Sequence, residues 1–284
     1  MIDVCFHTYP PGWPWTRRAR RRFRRRREKI DWSVALRQGF RRHDIKTRLY
    51  RPGRPLDADV HVFWGWHEPA MFDRLAQSEG QHALILERGF LPPRRGWASL
   101  AFDGLNNHGR YGPAGDNGVR FEQHFGHLWR EWQHRDTGRV LLIGQVPGDI
   151  SLNGVQVDEW AAERAARLHA MGRQVIYRPH PLGFTECPAH AVASAHSLAE
   201  DMAAVDCVIT YSSNTGIEAV LAGVPIIVES DVSMAWPMGA HDIEASIVRP
   251  DRGVWAHDLA WKQWQRHELA DGTAWDHVRH AVGL

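Results

Sequence analysis

Short apolar runs and helix-spaced apolar positions alternate along the whole chain. In the first half, residues 4–9, 45–50, 60–66 and 83–86 are short apolar or alternating runs bounded by Pro, Gly or charge, the pattern of strands. Between them, Trp32, Leu36 and Phe40 recur at helical spacing over 31–40, and 69–76 reads as a second helix. Pro10, Pro11, Gly12 and Pro14 force a loop after the first strand. From Gly89 to about Gly118 the chain is rich in Pro, Gly and Asn and predicts loops, and 121–132 predicts a helix leading out of the domain.

The second half repeats the alternation more cleanly. Strands are predicted at 140–143, 174–177, 207–211 and 224–228, and helices at 157–170, 197–204, 216–221 and, as one long element, 255–269. Strands alternating with helices imply βαβ units and a parallel sheet. With a boundary near 136–139, the expected domains are 1–138 and 139–284.

Composition narrows the class. Of the 284 residues 43% are hydrophobic and 24% charged, the balance of a soluble chain long enough for two cores. No apolar run approaches the roughly 20 residues that span a bilayer, and the start lacks a signal-peptide pattern, so a cytoplasmic location is expected. Cys5, Cys187 and Cys207 are odd in number, widely spaced and without a C-x-x-C pattern, which predicts small buried residues rather than disulfides or a metal site. Charge is uneven: residues 1–138 carry +10 and the rest −8. Much of the excess lies in one segment, Arg17, Arg18, Arg20, Arg21, Arg22, Arg24, Arg25, Arg26 and Arg27. Self-repulsion there predicts an arm that orders on a polyanion; DNA is the expected partner, with Trp13, Trp15 and Phe23 near enough to stack on bases. An anionic membrane surface and a mere solubility role are the alternatives.

Three segments of the second half can hold an anionic ligand. The run 208–228 ends a strand in Ser212, Ser213, Asn214 and Thr215, then starts a helix with Glu218 just inside it. Hydroxyls and backbone N–H groups at such a turn suit a diphosphate, and the carboxylate suits two ribose hydroxyls. The same residues are also ordinary helix caps. Arg178 and His180, stiffened by Pro179 and Pro181, follow another strand. Gln145, in a Gly/Pro loop with Asp149 and Ser151, follows a third.

In this order, Gly-Gln-Val-x-Gly-Asp-x-Ser at 144–151, Arg-Pro-His-Pro at 178–181, and His-Ser-Leu-Ala-Glu leading to Ser-Ser-Asn-Thr-Gly-Ile-Glu-Ala over 196–219 resemble the capsule polysaccharide biosynthesis glycosyltransferases, the group that includes the bacterial Kdo transferases. Leu-Ala-Trp-Lys-Gln-Trp at 259–264, with Glu268 and Gly-Thr-Ala-Trp at 272–275, resembles a helix of that group and of related phage proteins. The resemblance covers about residues 139–278. It implies an α/β, GT-B-like fold: two Rossmann-like domains whose parallel sheets face a cleft, with donor in the C-terminal one and acceptor in the N-terminal one. The family's Gly-Trp-Gly stretch is replaced by Met-Ala-Trp-Pro-Met-Gly-Ala at 234–240, so CMP-Kdo is not carried over as donor.

The resemblance also implies a nucleotide-sugar co-substrate with no required cofactor, and no Asp-x-Asp metal motif occurs in the chain. A UDP-sugar is favoured over a CMP-sugar. Transfer to a hydroxyl wants a carboxylate or His as general base, or a carboxylate nucleophile in a retaining route. Glu87, ending a buried strand, and Asp103, in an adjoining loop, are the candidates; their ordinary readings are an ion pair with Arg88 and an Asp-Gly turn. The Arg-rich segment and the phage-like end together point to a 5-hydroxymethylpyrimidine in DNA as acceptor, in a host cytoplasm if the chain is phage-encoded. The rivals are a capsule or lipopolysaccharide transferase and a non-catalytic nucleic-acid-binding protein on a transferase fold.

Overall fold

In the computed structural model, residues 2–7, 17–51, 53–66, 69–183 and 185–284 are described, with backbone only for 17–28 and 69. The chain forms two units, 1–120 with 256–284, and 121–255. The expected domains 1–138 and 139–284 differ from these at both ends, because the last 29 residues pack with the first unit and 121–138 with the second.

The first unit runs β1 (Asp3–Phe6), α1 (Arg17–Arg42), β2 (Lys46–Leu49), β3 (Val60–Trp64), α2 (Pro69–Ala76), β4 (His82–Arg88) and β5 (Ala98–Phe102). The helix α3 (Val119–Phe125) carries the chain into the second unit. That unit runs β6 (Arg139–Ile143), α4 (Val157–Ala170), β7 (Gln174–Arg178), β8 (Ala191–Ala193), α5 (Leu198–Ala203), β9 (Cys207–Thr210), α6 (Thr215–Leu221) and β10 (Ile226–Val228). The helix α7 (Gly253–Ala260) leads back to β11 (Gln263–Trp264), α8 (Arg266–Ala270) and α9 (Thr273–Val278) of the first unit.

Among the described residues, the first sheet has the order β11-β5-β4-β3-β1-β2; the β4–β5 and β5–β11 pairings are antiparallel and the others parallel. The second has the order β10-β9-β6-β7-β8, all parallel. Side chains alternate between faces of a strand. In the first unit Val4, Phe6, Val60, Val62, Leu84 and Leu86 join Trp32, Leu36 and Phe40 of α1 and Trp264, Leu269 and Trp275 of the C-terminal segment in one core. The other face packs Phe63, Ala83 and Ile85 against Phe72 and Leu75 of α2.

Four expectations change. Residues 98–102 form an internal strand rather than a loop: Ala98, Leu100 and Phe102 are buried and the run pairs with β4, which local Pro and Gly content hides. The strand β8 (Ala191–Ala193) also forms where none was predicted; it is short, mostly exposed and stabilised by pairing with β7. The Arg-rich segment is the start of the 26-residue helix α1, because it continues the apolar-periodic part that docks on the sheet. The single helix expected over 255–269 is broken at β11. The Gln263 side chain accepts from the N–H groups of Phe90 and Leu91 at 2.6 and 2.9 Å, and Trp264 is fully buried. A reciprocal cap between Gln265 and Glu268 restarts the helix. Within α1, Gly39 is needed for close approach: a Cβ there would meet the Leu269 carbonyl oxygen at 2.1 Å.

Arg120 holds this returning segment. Its guanidinium pairs with Glu268 at 2.5 and 2.9 Å, donates to the Ala260 and Gln263 carbonyls, and lies 5.4, 5.0 and 4.8 Å from the Trp97, Trp261 and Trp264 rings. Removing one partner of a buried pair typically costs about 3–5 kcal/mol. Arg120→Ala is expected to lower the unfolding free energy by about that much in urea titrations followed by tryptophan fluorescence. An unchanged midpoint would mean that apolar burial alone holds the segment.

Candidate functional site

In the second sheet the chain runs outward from β6 through β7 to β8, then returns to the opposite side of β6 for β9 and β10. The strand order therefore reverses between β6 and β9, and ligands of open α/β sheets bind outside the carboxyl ends at such a point. Ile143 ends β6 opposite Thr210 of β9 and Arg178 of β7. The three sequence-predicted segments thus leave the sheet side by side at one edge.

Two of them are tied together. The Gln145 amide oxygen accepts from Ser212 N at 2.8 Å and its nitrogen donates to Ser212 Oγ at 2.9 Å. Ser212 Oγ donates to Ser151 Oγ at 3.0 Å, and Ser151 Oγ to Asp149 Oδ1 at 2.7 Å. Gln145, Ser151 and Ser212 are buried, so their polar groups clasp the two loops. Gly144 permits the turn, since a Cβ would meet Tyr177 Oη at 2.4 Å.

The next residues are more open. Ser213, Asn214, Thr215 and Glu218 are all half-buried at the start of α6. Ser213 N donates to Thr210 Oγ1 at 3.0 Å, Thr215 N to Ser213 Oγ at 3.3 Å, and the two hydroxyls meet at 3.2 Å. Gly216 admits a neighbouring side chain: a Cβ there would lie 3.1 Å from Ala235 Cβ.

Arg178 ends β7 with its Nη1 donating to Asp201 Oδ2 at 2.7 Å, Ser194 Oγ at 3.1 Å and the His196 carbonyl at 2.7 Å. Asp201 is 1% exposed and also accepts from Ser194 Oγ at 2.5 Å. The carboxylate thus fixes the direction of the guanidinium. Sequence reading missed Asp201; the signal was an acid directly after the Ser197–Glu200 capping box. His180 is half-buried, with Nδ1 accepting from Leu182 N at 3.0 Å.

The two catalytic candidates belong to the first unit and lie at opposite ends of its sheet. Glu87 is half-buried at the carboxyl end of β4, with Oε1 accepting from Arg88 N at 2.9 Å. Asp103 follows β5, which runs the other way: Leu84 pairs with Phe102 and Arg88 with Ala98. Asp103 therefore sits beside Ala83, at the end where the parallel strands begin. Its Oδ1 accepts from Ala83 N at 2.9 Å, its Oδ2 meets His82 Nδ1 at 2.8 Å, and φ is 56°. These contacts are those of a structural turn, away from the strand ends where Glu87 lies.

No family model matches the sequence, and no curated protein is similar to it. Among solved structures, the beta Kdo 2,7 transferase of Thermosulfurimonas dismutans KpsC is similar with a TM-score of 0.58 at 14% identity, over 93% of this chain and 92% of that one. The beta Kdo 2,4 transferase of the same KpsC gives 0.52 at 15% identity, with the same coverage. The fold is GT-B-like. Both Rossmann-like units expected of a GT-B-like chain are present, each built on a largely parallel sheet.

The Arg178–Asp201 contact separates two roles for the arginine. Losing a charged hydrogen bond costs about 1.5–3 kcal/mol. Asp201→Asn and Arg178→Ala are both expected to lower stability by that order in thermal and urea unfolding. Unchanged unfolding in both would leave Arg178 with no structural part.

Proposed function

We propose that this chain is a glycosyltransferase that moves a sugar from a nucleotide sugar to a hydroxyl acceptor. One observation carries the reading: Gln145, Arg178 and the 212–218 turn leave adjacent strands at the strand-order reversal of a sheet in a GT-B-like fold. In this reading Ser213, Asn214, Thr215 and His180 bind the diphosphate, Arg178 supplies charge held in place by Asp201, and Glu218 takes the ribose. Gln145 and Ser212 hold the loops in register. A UDP-sugar is the favoured donor and a CMP-sugar the alternative.

Glu87 is the proposed base. It stands at the carboxyl end of a central parallel strand, where open α/β sheets take their ligands. The acceptor domain is the first unit, with the Arg-rich part of α1 meeting a polyanion. We assign a hydroxymethylated pyrimidine of DNA as the acceptor; reaching it requires flipping the base from the stack. The charge pattern also suits an anionic capsular glycan or membrane surface, and the fold likeness to Kdo transferases favours that second reading.

Glu218→Ala is expected to weaken binding of the nucleotide sugar roughly ten- to a hundredfold by calorimetry. Glu87→Gln should leave that binding intact and slow transfer by about 10²–10⁴-fold. Donor affinity unchanged in folded Glu218→Ala would remove the donor site from this turn. Full turnover in Glu87→Gln would move the base elsewhere.

Deleting residues 17–27 should weaken duplex DNA binding irrespective of sequence. It should also flatten the plot of log affinity against log salt by about 0.9 for each phosphate that the arm no longer neutralises. Fluorescence anisotropy on duplexes and co-sedimentation with anionic vesicles, both across a salt series, decide the acceptor. Vesicle binding without duplex binding replaces DNA by the capsule reading.

A further inference from the structure

The first sheet has its own strand-order reversal, between β1 and β3, and an unusual set of side chains lies there. Cys5 of β1 is the register partner of His61 of β3, so both side chains project from one face. His7, two positions beyond Cys5, projects from the same face just past the end of β1. The Cys5 sulfur, one ring nitrogen of His7 and one of His61 all lie within 4.8 Å of one another. Among the described residues this is the one such group of three.

Three features make it more than a chance cluster. Cys5 and His61 are fully buried, which is ordinary for a thiol but expensive for an imidazole. His7 Nε2 and His61 Nδ1 face each other across one shared hydrogen bond at 2.8 Å. The His7 ring is also held in orientation, stacked 4.3 Å from both Tyr50 and Phe63 at interplanar angles of 29° and 17°. A neutral imidazole offers a metal the lone pair of one ring nitrogen. The nearby Arg48 is paired with Asp3 at 3.0 Å and with Asp57, which offsets its repulsion of a cation.

We propose that Cys5, His7 and His61 form a binding site for a borderline-soft transition-metal ion, zinc in the ordinary case. One thiolate and two imidazoles are the ligand types zinc selects over magnesium or calcium, and three protein ligands leave a fourth position for water or a small anion. Ligand atoms around tetrahedral zinc stand roughly 3.3–3.8 Å apart, from Zn–N and Zn–S bonds of about 2.0 and 2.3 Å. The histidine pair therefore opens by somewhat under 1 Å when the ion replaces their shared hydrogen bond. Binding forms one metal–sulfur and two metal–nitrogen bonds and releases one proton, from the Cys5 thiol; each imidazole stays neutral by carrying its proton on the other nitrogen. Cys5 and His7 are close in sequence but His61 lies 54 positions beyond His7, so no spacing motif announces the site.

The test uses the full chain, stripped with chelator and titrated separately with zinc chloride and cobalt chloride. The expected result is one ion per chain and, with cobalt, a thiolate-to-metal charge-transfer absorption. Cys5→Ser should abolish that band, whereas Cys187→Ser and Cys207→Ser retain it. Outer-shell partners of a metal typically contribute 10–100-fold in affinity, so loss of a direct ligand in Cys5→Ser or in His7→Gln should weaken zinc binding by at least about tenfold. Should Cys5→Ser fail to fold, His7→Gln decides, because His7 is only half-buried at a strand end. No thiolate band in the wild type, a band that survives Cys5→Ser, or wild-type zinc affinity in folded His7→Gln overturns the site and leaves a buried histidine pair beside an inert thiol.

Discussion

The first unit depends on where the Arg120 guanidinium goes. A buried cation is tolerated only when its donors are satisfied and its charge is paired. Arg120 meets both demands with groups from the far end of the chain: the Glu268 carboxylate and the Ala260 and Gln263 carbonyls, inside a cage of Trp97, Trp261 and Trp264. Residues more than a hundred positions apart thereby become one core. The consequence reaches the sheet, since β11 can pair with β5 only while this segment is docked. It also reaches the proposed base. The loop after Glu87 is held by Gln263, whose side chain accepts from Phe90 and Leu91.

In the second unit the equivalent constraint is hydrogen bonding at the strand-order reversal. Loops leaving two parallel strands need partners for their buried polar groups. The Gln145–Ser212 pair supplies them and passes the chain on to Ser151 and Asp149. One strand over, Asp201 and Ser194 do the same for Arg178. The residues of the proposed donor site therefore divide by burial: Gln145 and Ser212 are buried and hold the backbone, while Ser213, Asn214, Thr215, Glu218 and His180 are only half-buried. A motif in sequence mixes these two kinds of residue, because both are needed at adjacent positions.

Both sheets reverse their strand order once, and each reversal gathers polar side chains. In the second unit they are amides and hydroxyls, suited to a phosphorylated ligand; in the first they are a thiol and two imidazoles, suited to a soft cation. The same topology offers a crevice to different chemistries, and the side chains at the strand ends decide which.

What the sequence by itself determined was local. Apolar runs of four or five residues and helical spacing located β3, β4, β6, β7, β9, α2, α4 and α6, because these elements bury a periodic face wherever they pack. Spaced polar motifs located the turns at 144–151, 178–181 and 212–218, because such turns require particular residues. Only the tertiary structure decided that β5 is a strand, that the helix expected over 255–269 breaks at Gln263, and that Asp103 and Glu87 lie at opposite ends of one sheet. It alone joined residues 256–284 to the first unit and brought His61 to Cys5 and His7. Each of these is set by pairing across long sequence separations, where a neighbouring strand's register or one buried guanidinium outweighs the modest local propensities a linear pattern records.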